Sequence, residues 1–343
     1  MKFWENSPLE RRISAGQIPL AEAEPCFAAK PGRMLAAYRA DRRHSGLAKQ
    51  LALAKQLRAR CRDLVVLGAR DSLQGAKALT RSCQEPGFVG LPASERGGRP
   101  RLHFVDERVD NDSLTGLLRL LASGGDSAPS WTLIETAEVA ERHAPPPLRW
   151  ASQVLRTRGA DEPLRLAPPD SPDSPYDTGP LAKLLSDVTL ISATAAGVNV
   201  IGWLEGQRDA FEAFQANDAA CPVRRLAAAR RLAKDGSESW HAWRRALEPW
   251  LRLLAPSIGA AARPGLVIHV AARNGREDSL QVSSTSAWDE LERQRREARY
   301  ALEEANDQPA VELELPDTSE HSLGQLVMCC RLSDWLACSR TSN

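Results

Sequence analysis

Three short apolar runs, each followed by a helix-like stretch, constrain this chain more than any other feature. They are Leu64–Ala69 (LVVLGA), Arg101–Asp106 (RLHFVD) and Ser130–Glu135 (SWTLIE). Continuous apolar strands suit a sheet buried on both faces, and helices between them impose parallel pairing through crossover connections. One helical stretch begins near Leu73. Another spans residues 111–122, with Asn111 or Asp112 as candidate cap and Leu114, Leu117, Leu118 and Leu121 as its stripe. A parallel α/β sheet is expected here.

The second half repeats the theme. Gly265–Ala272 (GLVIHVAA) and Ala310–Pro316 (AVELELP) read as strands, with a charged amphipathic helix over residues 286–305 between them. Residues 224–233 and 239–254 read as helices, the latter with Trp240, Trp243, Leu247 and Trp250 on one face. Val188–Leu204 is apolar and ambiguous between strand and helix, and residues 1–60 read as helices and loops. Pro163, Pro168, Pro169, Pro172, Pro175 and Pro180 interleave with Asp and Ser, the composition of an exposed linker. With 343 residues, two domains are expected. Residues 1–158 form N-terminal helices plus a first domain, 159–182 a linker, and 183–343 a second domain.

Charge excludes some functions. Lys plus Arg is 45 and Asp plus Glu is 44, which argues against a strongly basic nucleic-acid binder. Only seven of the cations are lysines. The arginines Arg224, Arg225, Arg230, Arg231 and those of Arg293–Arg299 are the candidates for a nucleic-acid surface. Glu290, Glu292 and Glu297 interleave the last group, which favours a solvated, ion-paired face, so no nucleic-acid partner is expected. No window approaches the ~20 apolar residues of a spanning helix, and the N-terminus lacks the apolar core of a signal peptide. The chain reads as cytoplasmic, with no membrane partner. Seven cysteines without a C-x-x-C pair read as reduced, mostly buried thiols, and neither a metal nor a cofactor is expected.

Three separated segments together resemble the phosphoglucose (glucose-6-phosphate) isomerase family. Val65–Leu79 (VVLGARDSLQGAKAL) is similar to the family's V-V-x-G-I-G-G-S-x-L-G-x-x-A-L. Residues 101–121 resemble its next strand and helix. Residues 306–327 (NDQPAVELELPDTSEHSLGQLV) resemble its C-terminal strand and helix. Two weaker matches fall in order between them: residues 186–197 against G-G-R-F-S-V-L-S-x-x-G, and residues 255–261 against A-E-S-L-G-K. The resemblance implies two flavodoxin-like sugar-isomerase (SIS) parallel-sheet subdomains with flanking helices, the second one short. It implies interconversion of glucose 6-phosphate and fructose 6-phosphate, in which a carboxylate moves a proton and cationic and hydroxyl groups hold the phosphate and the enediolate. A sugar phosphate is the implied ligand, and a homodimer or a partner protein the implied assembly.

The residues that should carry this chemistry are replaced. At the glycine pair stand Arg70 and Asp71, bringing bulk and opposite charges into the turn, while Gly68, Ser72 and Gly75 remain. Ser72 is expected either to cap the following helix or to keep a ligand contact. The segment aligned with the S-K-S-G-T-T phosphate loop reads ETAEVAERH: it carries Glu135, Glu138 and Glu141 and retains only the hydroxyl of Thr136. The family's Arg falls on Asp187, its catalytic base on Pro256 and its Lys on Ala260. Glu248, two turns earlier, is a poor substitute for the base. The ligand-binding candidates are thus Gly68, Ser72, Gly75 and Thr136, with no catalytic residue. The expected function is an isomerase-like scaffold, regulator or weak sugar-phosphate binder. The alternative is an active isomerase rebuilt from residues such as His143, Glu138 or His269. For each lone His the ordinary expectation is a surface or satisfied core side chain.

Overall fold

The computed structural model describes residues 1–5, 9–10, 25–122, 131–140, 144–158, 163–166, 183–216, 221–233, 238–254, 265–274, 281–282, 285–304 and 309–338. Its first elements are β1 (Lys2–Glu5), α1 (Cys26–Ala40), α2 (Gly46–Arg60), β2 (Asp63–Leu67), α3 (Arg70–Cys83), β3 (Arg101–Val105), α4 (Asn111–Ala122) and β4 (Trp131–Glu135). The short α5 (Ala137–Ala140), α6 (Pro146–Thr157), β5 (Leu164–Arg165), α7 (Asp187–Ala195), α8 (Val200–Gln215), α9 (Pro222–Leu232), β6 (Glu238–Ala242) and α10 (Glu248–Leu254) follow. The chain continues with β7 (Leu266–Ala272), the two-residue strands β8 (Gln281–Val282) and β9 (Thr285–Ser286), α11 (Ala287–Glu304), β10 (Ala310–Leu315) and α12 (Glu320–Cys338). No described helix is long and apolar enough to cross a membrane.

The chain forms two compact units, Arg33–Val200 and Met1–Gly32 with Ile201–Asn343. This division runs elsewhere than at the Pro-rich segment. Residues 183–200 belong with the first sheet because Val188, Ile191 and Ala195 of α7 are buried against Leu64, Val66 and Ile134.

In the Arg33–Val200 unit the sheet order is β3-β2-β4-β5, every pair parallel. The three apolar runs are therefore adjacent strands, in the register Asp63↔Arg101 and Asp63↔Trp131. Alternate residues of β2 feed two cores, since successive strand side chains point to opposite faces. Leu64 and Val66 pack with Leu57, Leu73 and Ile191 on one face, and Val65 and Leu67 with Leu114, Leu133, Leu148 and Leu155 on the other. Helices thus cover both faces, as a parallel sheet requires. The cap of α4 is neither Asn111 nor Asp112. Asp110 accepts the Ser113 N–H at 2.7 Å on its carboxylate and the Leu114 N–H on its carbonyl, one residue earlier than expected.

The second sheet has the order β1-β10-β7-β6, with β10, β7 and β6 parallel and β1 antiparallel at the edge. Two of its strands correct the sequence expectation. Residues 239–242 belong to β6 and are not helical; the helix begins at Glu248, ahead of Pro249, which suits a first turn. Trp240 and Trp243 mimic a helical stripe, although Trp240 lies on a parallel strand beside Leu266–Ala272 and Trp243 just past its end, where its backbone N–H still donates to the Val270 carbonyl. Residues 2–5 form β1, where loops and helices were expected. Val188–Leu204 resolves as helix on both sides of residues 196–199. On α11 the interleaved charges pair as expected: Arg293 holds Glu290 at 2.6 Å and also Glu297. Arg295 is buried and donates to Glu312 of β10 at 2.6 and 2.9 Å.

Candidate functional site

The turn after β2 carries Gly68, and the first two turns of α3 carry Ser72 and Gly75, three of the ligand-binding candidates. Both glycines there answer to packing. A Cβ on Gly68 would lie 2.5 Å from the Thr136 methyl and 2.6 Å from its hydroxyl, so the residue must be Gly for β4 to deliver Thr136 beside β2. A Cβ on Gly75 would meet Leu184 at 3.0 Å and Thr189 at 3.1 Å. The bare backbone of α3 therefore lets the short 3-10 turn Lys183–Leu185 and helix α7 come close.

That close approach brings together three charged or polar groups. Ser72, only 3 % exposed, donates its hydroxyl to a Glu138 carboxylate oxygen at 2.6 Å. Lys183 donates to the same oxygen and to the Ser72 hydroxyl, both at 2.7 Å. Burial by itself would raise the Glu138 carboxyl; the bonds from Lys183 and Ser72 outweigh it and bring the group down to about 2. Glu138 is therefore an anion at any physiological pH. Ser72 does not cap α3: the cap residue is Ala69, which makes no side-chain cap bond.

A second carboxylate serves the same turn. The Arg70 backbone N–H, at the start of α3, donates to Glu107 at 2.7 Å. An N-terminal N–H otherwise free for an external anion is thus satisfied within the protein. The side chains of Arg70 and Asp71 are exposed and do not fill the turn, contrary to the expected bulk.

The remaining residues do structural work. Glu135, fully buried at the end of β4, accepts from Ser152 at 2.5 Å and from Arg156, tying α6 to the sheet. Asp187 opens α7, where a carboxylate suits the helix dipole, and accepts from Gln50 of α2 at 2.5 Å. A cation at that position would lose both interactions. Pro256, Ala260, Glu141 and His143 lie outside the described residues. His269 belongs to the other unit, where Trp243 donates to its Nδ1 at 2.8 Å. Burial, reinforced by His241, pushes the His269 ring down to about 4, so it is neutral near pH 7. Glu248 is an exposed first residue of α10. Among the described residues no group of three His, Cys, Asp or Glu side chains could hold a metal. Cys61, Cys221, Cys329 and Cys330 are buried free thiols.

Lys183 is the residue of this candidate site that the sequence did not single out. It lies 111 positions from Ser72, beyond the Pro-rich segment, and its only local signal is that lysine is scarce in this chain.

No family model matches the sequence, and no curated protein matches it. Solved structures do. A hypothetical protein, TT0462, from Thermus thermophilus superposes with a TM-score of 0.63 at 15 % identity, covering 98 % of this chain and 93 % of its own. A glucose-6-phosphate isomerase from Chlamydia trachomatis superposes with a TM-score of 0.62 at 16 % identity, covering 95 % of this chain and 72 % of the other. The two-sheet α/β fold of this chain is the one that these two structures share. At these identities the likeness extends to architecture alone, and the chemistry of this chain rests on its own side chains.

Proposed function

We propose that this chain is a glucose-6-phosphate isomerase-like protein that keeps the sugar-isomerase fold without the isomerisation, acting as a scaffold, a regulator or a weak sugar-phosphate binder. One observation carries the reading: Glu138, in the segment aligned with the family's phosphate loop, is an anion that already accepts from both Ser72 and Lys183. A sugar phosphate arriving there meets an ionised carboxylate. Each unit-charge pair at 4 Å costs about 1 kcal/mol in water and about 4 kcal/mol at an effective dielectric of 20, and a phosphate dianion pays it twice. The sequence adds the loss of a base at Pro256, worth roughly 10²–10⁴-fold by itself.

The test is a coupled assay of glucose 6-phosphate and fructose 6-phosphate interconversion by the purified chain, paired with thermal-shift measurements in both esters. No turnover and at most a small shift are expected. Turnover above about 1 s⁻¹, the low end of ordinary enzymes, overturns the proposal. Pro256→Glu, which restores a carboxylate at the aligned base position, is expected to stay inactive because the anion donors remain occupied.

A further inference from the structure

β3 lies at the end of its sheet, and its outer edge is open. Arg101 donates to the Arg62 carbonyl, and the Val105 carbonyl accepts from Gly68. In a parallel ladder the odd residues 101, 103 and 105 therefore spend both backbone groups on β2, which turns those of Leu102 and Phe104 outward. Among the described residues nothing bonds these outward groups. A cleft of about 720 Å³ runs along this edge, walled by α3 and α4.

The two walls differ in chemistry. On the face where Leu102 and Phe104 pack stands α3, which presents Lys77, Thr80 and Arg81. On the opposite face, where Val105 packs, stands α4 with Leu114 and Leu117, joined by Val109. The cleft's one carboxylate, Asp106, is held by Lys77 at 3.0 Å and Arg108 at 2.8 Å. Those bonds from Arg108 and Lys77 keep it far below the usual carboxylate range and ionised. Three cations against one anion leave the cleft net positive, and the exposed Arg81 has no partner among the described residues.

We infer that this cleft receives an extended acidic segment of a partner protein, which adds to the sheet as a strand beside β3. Main-chain bonds to Leu102 and Phe104 supply the pairing. Because strand side chains alternate, the incoming segment turns acidic residues toward Lys77 and Arg81 and apolar residues toward Leu114 and Leu117. The recognised pattern is acidic–apolar alternation. A net-positive cleft selects it over a basic strand of the same shape.

The experiment uses the full chain and fluorescein-labelled Glu-Val-Glu-Val-Glu-Val, followed by fluorescence anisotropy. Saturable binding is expected. It is expected to weaken at least tenfold when alternate backbone nitrogens of the peptide are methylated, a change that leaves the protein untouched. It is also expected to weaken at least tenfold with Arg81→Glu, whose unfolding midpoint should match that of the parent chain. Absence of saturable binding, or equal binding of the methylated peptide, overturns the inference. A chain that is dimeric by light scattering and becomes monomeric with Arg81→Glu assigns the edge to a second copy and overturns it as well.

Discussion

Replacing Glu138 by Gln removes one negative charge at nearly constant shape, and its effect on stability should depend on pH in a defined way. The Glu138 carboxyl falls from 4.5 to about 2 in the folded chain. At about 1.4 kcal/mol per pKa unit, that shift corresponds to roughly 3 kcal/mol of folding stability. The side chain retains 28 % of its exposure, and solvent screening lowers the figure to about 2 kcal/mol. The sign follows from the direction of the shift. A depressed carboxylate contributes fully above its unfolded value, and the contribution is lost as pH falls through the folded value. Glu138→Gln should therefore cost about 2 kcal/mol at pH 7, less than half of that at pH 3, and almost nothing near pH 2. Urea unfolding of parent and variant at these pH values, compared as a difference, cancels the other titrating groups. A difference that stays constant from pH 7 to pH 3 would refute the ion-pair reasoning.

Gly68→Ala forces a methyl group into Thr136 and should destabilise by about 1–3 kcal/mol in urea unfolding, with part of the loss recovered by adding Thr136→Ala. Asp63 is fully buried and accepts from Arg101 at 2.5 and 2.8 Å, from Arg62 at 2.9 Å, and pairs with His103 at 2.9 Å. Asp63→Ala strands those cations and should cost about 3–5 kcal/mol by the same measurement. Burial would raise Asp63, but the bonds from His103, Arg101 and Arg62 hold it well below the usual range. Its contribution should therefore survive to more acid pH than an ordinary carboxylate's, which a pH series of the Asp63→Ala difference checks.

Of the five strands legible in the sequence, β2, β4, β7 and β10 are almost wholly buried, where an apolar run has no competing explanation, and the edge strand β3 was read from the helix pattern that follows it. The edge strands β1 and β6 were not legible, and their chemistry explains why. β1 (KFWE) pairs on one side only, through four residues that end in charge. β6 (ESWHA) carries Trp240 three positions before Trp243, a helical spacing that only the neighbouring β7 shows to be coincidence. At the candidate site the sequence showed carboxylates, Glu138 and Asp187, where the resemblance led one to expect donors or a cation. It did not reveal which group neutralises Glu138. The partner, Lys183, is set by how closely α3 approaches the Lys183–Leu185 turn, a distance fixed by Gly75 and encoded in no local pattern.

This pairing also accounts for what the motif kept. Gly68, Ser72 and Gly75 agree with the signature that the sequence resembles, while Arg70 and Asp71 stand at its glycine pair. Retained ligand contacts would explain Ser72 alone, because Gly68 and Gly75 face Thr136 and Leu184 within the unit. The internal anions explain all three residues. An N–H at a helix start and a lysine beside a buried hydroxyl are costly to leave without negative charge. Glu107 supplies that charge from the loop after β3, and Glu138 from the short helix α5 after β4. Once they do, the turn needs its glycines for packing and its serine for the Glu138 bond, and no ligand is required to preserve any of them. Motif survival at this turn is thus a property of the folded unit, and only a variant that withdraws Glu138 separates it from binding.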